Sequence, residues 1–330
     1  METLSQAKVL VTGASGFIGS YLTRRLVKEG AEVYAWIRPA SRLVRIEEIL
    51  PSLRVYDVDI RDFAQVQKAL REIKPRKIYH LAAHVNVERT FQTLEDTLET
   101  NLKGTLNLLR VLELEKIDYD CFVNTGTCEE YGDNPAPFRE DQPVNPVSPY
   151  SASKAAATSY CQMLHKTLGC PIVTLRPFLT YGPSQGPARM IPQAILSVLE
   201  KKEFKMTPGE QTREFIYVED VVEGYLKASI TPGAIGEVIN IGNGREYPIK
   251  EVVLKIFDLM GAEAQPRIGA LPYRQGENWH FYSDPTKAWN ILRWKAQISL
   301  EEGLRRTIDW YKTHYVKNRN NLWAWMSNFD

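Results

Sequence analysis

Short apolar runs recur along the first half of the chain, near 8–12, 32–37, 53–56, 77–81, 120–124 and 171–176. Most of the stretches between them place apolar residues at helical spacing. Strands alternating with helices in this way predict an α/β fold built on a doubly wound parallel sheet. After Arg176 the rhythm breaks into the Pro- and Gly-rich loops Tyr181-Gly182-Pro183 and Gly186-Pro187, short helices near 188–201 and 249–260, and strands near 214–217 and 237–241. A larger domain over 1–180, taking late strands from about 214–243, is therefore expected to interleave with a smaller mixed α/β domain over 181–330.

Composition narrows the class. With 330 residues, 44% of them hydrophobic and 25% charged, the chain can bury a large core. A net charge of +1 gives no general electrostatic case for a nucleic-acid or membrane partner. Cys121, Cys128, Cys161 and Cys170 form no CxxC pair and have no histidine at metal-ligand spacing, so reduced thiols and no metal site are expected. The first residues lack a basic stretch followed by an apolar one, and no apolar run reaches membrane-spanning length. A soluble, cytoplasmic protein is the expectation.

Two strings carry the chemistry. Gly13-Ala14-Ser15-Gly16-Phe17-Ile18-Gly19 follows the strand Val9-Leu10-Val11 and opens a helix over 17–29, which lets backbone and helix N-terminal amides meet a pyrophosphate. Tyr150-Ser151-Ala152-Ser153-Lys154 sets a phenol and an ammonium four residues apart on one helix face. An ammonium beside the phenol lowers its pKa from about 10 and makes it an acid/base near neutrality.

Their order and separation, with Thr125-Gly126-Thr127 between them, resemble the extended short-chain dehydrogenase/reductase superfamily over nearly the whole chain. The resemblance is to its nucleotide-sugar epimerase and dehydratase family, which includes 4-ketoreductases like GDP-6-deoxymannose reductase. It implies a Rossmann-type dinucleotide domain with a substrate-capping domain. It also implies that Thr127 hydrogen-bonds the sugar hydroxyl or ketone, Tyr150 exchanges the proton, and Lys154 holds a ribose hydroxyl while the nicotinamide exchanges hydride. Asp59-Ile60 resembles the family's adenine-edge pair, and Leu81-Ala82-Ala83 its loop against cofactor phosphates and ribose. Thr125 and Pro177 complete the implied cofactor set. His80, at the end of the fourth strand, is expected to be a packed histidine.

The end of the second strand carries no carboxylate, which would otherwise accept from the ribose hydroxyls and repel a 2′-phosphate. Arg38, Ser41 and Arg42 follow instead and can clamp a phosphate. NADP is the expected cofactor, with NAD the alternative.

The family's branches diverge in three places. Thr127-Cys128-Glu129 resembles the Thr-Asp-Glu or Thr-Ser-Glu of 4,6-dehydratases, where the Glu abstracts a proton from C5, and Cys128 replaces one branch's Asp with a poorer acid. Glu129-Glu130-Tyr131-Gly132 also resembles the reductase string. Leu179 stands where many epimerases and dehydratases carry Asn. Arg189, Arg213 and Arg274 fall where the family sets basic residues on the substrate's phosphates, and Asn86, Glu88 and Arg89 are further substrate candidates.

The first reading is an enzyme reducing an NDP-4-keto-6-deoxyhexose at C4. The alternatives are an NDP-sugar 4-epimerase, a 4,6-dehydratase, or a dinucleotide sensor without turnover. A homodimer is expected through helices near 95–115 and 150–168, on the apolar positions Leu98, Leu102, Leu106, Leu109, Ala156, Tyr160 and Leu164. The tail carrying Trp323, Trp325 and Phe329 is expected to pack on the body or on a second subunit.

Overall fold

The computed structural model describes residues 4–39, 41–86, 88, 90–273, 276–318 and 329. Its first half runs β1 (Lys8–Thr12), α1 (Phe17–Lys28), β2 (Glu32–Ile37), β3 (Arg54–Asp57), α2 (Phe63–Ile73), β4 (Lys77–His80), α3 (Phe91–Thr97), α4 (Gly104–Leu114), β5 (Cys121–Thr125) and α5 (Pro149–Leu168). The second half runs β6 (Ile172–Pro177), β7 (Leu179–Tyr181), α6 (Met190–Leu199), β8 (Thr212–Tyr217), α7 (Val218–Ile230), β9 (Val238–Ile241), β10 (Glu246–Pro248), α8 (Ile249–Leu259), β11 (His280–Phe281), α9 (Thr286–Leu292) and α10 (Leu300–Asn318).

Seven strands form one parallel sheet in the order β3-β2-β1-β4-β5-β6-β9, with helices on both faces: a Rossmann-type doubly wound fold. Because both faces are covered, the inner strands are buried on both sides rather than alternating, and Val9, Leu10 and Val11 are all wholly buried, whereas the edge strand β3 stays largely exposed. Leu22 and Leu26 of α1 and Val221 and Tyr225 of α7 seal one face. Val66 and Leu70 of α2, Leu108 and Leu112 of α4 and Cys161 of α5 seal the other. The strand order reverses between β1 and β4, where open α/β sheets collect ligands at the carboxyl ends of their strands.

A smaller mixed sheet centres on β8, which pairs with β7 and β11 in parallel and with β10 antiparallel. The strand expected near 214 among late strands of the larger domain lies here instead. Phe215 and Tyr217 are drawn into an apolar cluster with Ile195, Ile256 and Leu304 from α6, α8 and α10. β9, by contrast, returns to the large sheet, with Val238 opposite Thr174 of β6.

The single helix expected near 95–115 is also broken. Between α3 and α4 the backbone widens into a π-turn over Leu98–Lys103 that carries the buried Asn101. Phe329 of the tail is buried on the body, edge-on to Trp310, and Trp323 and Trp325 lie outside the described residues. Among the described residues no helix is long and apolar enough to cross a membrane, and no cluster of three metal-ligating side chains occurs.

Candidate active site

The glycine run sits at the switch point, and its geometry demands glycine twice. Gly13 has φ +70°, and a Cβ there would come within 2.8 Å of the Ala82 amide nitrogen, so this loop and the Leu81-Ala82-Ala83 loop lie back to back. A Cβ on Gly19 would run into the Gly13 carbonyl oxygen, so the same spacing lets α1 close on the loop. Gly16 caps α1 with no side-chain bond and the first turn holds no acid, which leaves the amides around Phe17 and Ile18 facing the opening without competition. This cradle fits a dinucleotide pyrophosphate. Ser15 contributes its carbonyl to Arg45, a buried residue that also holds the Ser184 carbonyl and Phe329.

A buried polar chain runs from this loop to α5. The Ala82 amide donates to Thr12 Oγ1 (3.1 Å), which leaves that hydroxyl to donate to His80 Nδ1 (2.7 Å). His80 Nε2 then donates to Thr105 Oγ1 (2.9 Å), which donates to the Asn101 carbonyl (2.6 Å). The tautomer follows from this chain of donors, and burial drives the pKa of His80 down to about 3, so it stays a neutral, packed histidine. Asn101 clamps both main-chain groups of His84 and reaches Ser153 on α5 (3.0 Å). Sequence periodicity gave no sign of Asn101, because no apolar stripe marks the face that carries it.

α5 starts where a capping box between Ser148 and Ser151, with Pro149 in the first turn, sets it. That start buries Tyr150 and Lys154. Thr127 lies close enough to Tyr150 to favour its phenolate, against the burial that opposes it. The phenol's pKa is not lowered as expected. The Lys154 ammonium donates to the Thr125 carbonyl (2.5 Å), and burial, the largest influence, pushes the phenol up. The same burial pulls Lys154 down to about 8. Thr125 Oγ1 accepts from the buried Tyr225 hydroxyl (2.9 Å).

Thr127 caps a short 3-10 turn over Cys128–Tyr131, and Glu130 closes a capping box with it. The Thr-x-x-Glu signature of that box was in the sequence, and it marks a residue the motif reading passed over. Glu129 is partly exposed and close enough to raise the pKa of both Tyr150 and Cys128. Cys128, a substrate candidate, packs instead with Tyr131, Phe138, Phe178 and Phe281, and burial pushes its thiol well up.

The remaining expected contacts divide. Ser41 Oγ accepts from the Arg38 amide (3.1 Å) in a tight turn, and the Arg38 side chain has no hydrogen bond or ion pair among the described residues. Arg42 is exposed. Asp59 is engaged by Arg61, which holds its carboxyl below the usual range, while Ile60 is buried beneath Gly104 and Asn107 takes its carbonyl (2.9 Å). Pro177 ends β6 partly exposed.

The substrate set is less assembled than expected. Asn86 is turned onto Glu88 (2.9 Å to its amide). Arg213 pairs with Glu277, donates to the carbonyls of Thr212 and Asn278 (2.7 Å each), and lies over the Phe281 ring. Arg189 is exposed ahead of α6, with no ion pair among the described residues. Arg89 and Arg274 lie outside the described residues.

Residues 10–307 match the family described as GDP-mannose 4,6 dehydratase. The chain belongs to this family. Relatives within reach include the dTDP-glucose 4,6-dehydratase of Haemophilus influenzae, 33% identical over 335 aligned residues that cover 92% of this chain and 97% of that protein. The UDP-glucose 4-epimerase of Mycolicibacterium smegmatis is 31% identical over 315 residues, covering 92% and 98%. The UDP-glucuronic acid 4-epimerase of Bacillus cereus, solved with UDP-glucuronic acid and NAD, superposes with a TM-score of 0.84 at 30% identity, covering 93% of this chain and 99% of that one. This GDP-mannose-dehydratase-like member of the extended short-chain dehydrogenase/reductases is thus an enzyme of the nucleotide-sugar epimerase and dehydratase type.

Proposed function

We propose that this enzyme inverts C4 of a nucleoside-diphosphate hexose. The observation that carries this reading is the place of Cys128. Dehydration has to protonate a leaving hydroxyl, and a thiol buried among aromatic rings with a raised pKa is a poor donor. Epimerisation removes the C4 hydride and returns it to the opposite face, and its only acid/base step is proton exchange at the C4 oxygen, for which Tyr150 and Thr127 stand together. The relatives named above are dehydratases and epimerases, so the 4-keto reduction expected first gives way to these alternatives.

A bound nicotinamide dinucleotide supplies the acceptor and donor of the C4 hydride. Tyr150 takes the C4 hydroxyl proton and later returns it, Thr127 holds the oxygen, and Lys154 keeps its charge beside the Thr125 carbonyl. Gly13, Ser15, Gly16, Phe17, Ile18 and Gly19 seat the pyrophosphate, with Leu81, Ala82 and Ala83 behind it. Asp59 and Ile60 border the adenine, and Thr125 and Pro177 the nicotinamide end. Relatives bind NAD, and the unpaired Arg38 beside Ser41 and Arg42 supports NADP for this chain. In this reading residues 1–180 with β9 hold the cofactor, and 181–330 receive the nucleotide, with Arg189, Arg213 and Arg274 on its phosphates.

The test is incubation with UDP-, dTDP- and GDP-hexoses, followed by product mass and configuration. An unchanged mass with inverted C4 is expected. Loss of water, or gain of two hydrogens with consumption of NADPH, overturns the reading.

The assembly we infer is a homodimer on the outer face of α3, the π-turn and α5. Leu98 and Tyr160 are exposed there beside Phe91, Leu94 and Met163, while Leu109 is buried against its own sheet. Light scattering at micromolar concentration should give twice the chain mass of 37.7 kDa; a monomer refutes the dimer.

A further inference from the structure

Behind Thr127, away from the cleft, lies an ion pair with almost no access to water. The side chains of Glu130 and Arg176 are 0% and 4% exposed. Glu130 Oε2 accepts from Arg176 Nε (3.0 Å) and Nη2 (2.8 Å). Oε1 accepts from the Thr127 amide (2.9 Å) and from Thr158 Oγ1 (3.1 Å). A Cβ on Gly126 would come within 2.5 Å of Oε1, so only glycine lets the carboxylate reach that amide. Arg176 is fixed in turn by the Tyr131 ring 4.6 Å below it, and Tyr131 donates to Asn240 (2.8 Å).

These donors come from the elements that carry the reacting groups. Thr158 follows Lys154 by four residues on α5, so Glu130 ties the Thr127 turn to the helix face that holds Lys154. Among the described residues the carboxylate is also the buried anion that faces Tyr150 and Lys154. Cys128, Cys161, His80 and Tyr225 face Tyr150 or Lys154 as well, and burial holds each of them in its neutral form; Glu129 is partly exposed. Glu130 favours the ammonium of Lys154 against the burial that opposes it, and disfavours the phenolate of Tyr150.

We propose that Glu130, held by Arg176, is a positioning residue of the reaction: it fixes the Thr127 hydroxyl against Tyr150 and sets the charge behind Tyr150 and Lys154. The inference rests on the proposed C4 chemistry for its kinetic arm only. A pair that served packing alone would be replaceable by apolar side chains of similar volume, because buried ion pairs often can be exchanged in that way without loss of stability.

The experiment compares Glu130→Gln and the double variant Glu130→Leu/Arg176→Met with wild type, each as the full chain with its dinucleotide. In both, kcat should fall about tenfold or more, with KM and dinucleotide Kd within about threefold. The pH limb of kcat assigned to Tyr150 and Lys154 should move to lower pH by about half a unit or more. Independently of any substrate, NMR of protein labelled with [13Cε]lysine should show the Lys154 midpoint moving the same way, its signal assigned by Lys154→Arg. If Glu130→Gln fails to fold, the double variant decides. Wild-type kcat and an unmoved Lys154 midpoint in a folded double variant overturn the proposal. If wild type turns over no nucleotide sugar, the C4 reading fails alone, and the Lys154 midpoint still decides the role of Glu130.

Discussion

The carboxyl ends of β1, β4 and β5 and the face of the small sheet around β8 are built on opposite principles. At the first, Thr12, His80, Asn101 and Ser153 are buried, bonded within the chain, and link the glycine loop to α5. At the second, the groups expected to meet the substrate are exposed, like Arg189, or bonded to a partner they would have to leave, like Arg213 on Glu277. In the proposed reading the groups used in every turnover are preorganised, whereas Arg213, expected on the nucleotide, sits in a pair whose contacts can be traded for phosphate contacts of similar strength.

The sharpest blow to the preorganised end is Tyr150→Phe, which keeps shape and removes the proton. Turnover should fall by about 10²- to 10⁴-fold while dinucleotide affinity, measured by fluorescence titration, is nearly unchanged. Gly13→Ala attacks the backbone instead. With φ +70° and Ala82 behind it, the substitution should cost about 1–3 kcal/mol of stability in urea unfolding and abolish tight dinucleotide binding. The exchangeable end should respond in KM. Arg213→Ala is expected to raise KM for an NDP-sugar about tenfold with little change in kcat, whereas a fall in kcat alone would place Arg213 in the preorganised class. Arg38→Ala should weaken NADPH by about tenfold and NADH by much less; equal losses would make Arg38 structural.

The smallest effect is a slope. Lys154 has a folded pKa of about 8 against 10.5 for an unfolded lysine, so between those values the unfolded chain binds the extra proton and stability rises with pH. Below pH 8 both states carry the charge and its burial costs in full. Lys154→Met should flatten the rise between pH 8 and 10.5 in denaturant titrations, and an unchanged slope would mean that Lys154 is already hydrated.

The same division separates what the sequence disclosed from what it concealed. The glycine run, the Ser148-Pro149 helix start and the spacing of Tyr150 to Lys154 are local signals, set by backbone sterics and helix period over a few residues. The inner strands of the large sheet announced themselves because burial on both faces makes them mainly apolar. Asn101 stayed hidden because the buried face of this segment carries Thr93, Thr97, Thr100 and Thr105, while Leu94 and Leu98 point outward, so no apolar stripe marks that face. The Arg213–Glu277 and Glu130–Arg176 pairs join residues far apart in sequence, and in the sequence an arginine bound to a carboxylate looks the same as one waiting for a phosphate. The phenol's pKa was misjudged for a related reason. Spacing reports a neighbouring charge, but it does not report the loss of water that here outweighs it.

The pairing of β9 with β6 orders events during synthesis. β7, α6, β8 and α7 all emerge between these two neighbours, so β6 stands as an open sheet edge until Val238–Ile241 leaves the ribosome. An apolar, unpaired edge is a template for another chain's strand. A nascent or prematurely terminated chain that ends before β9 is therefore a species prone to aggregate, although α5 and the glycine loop have already been made.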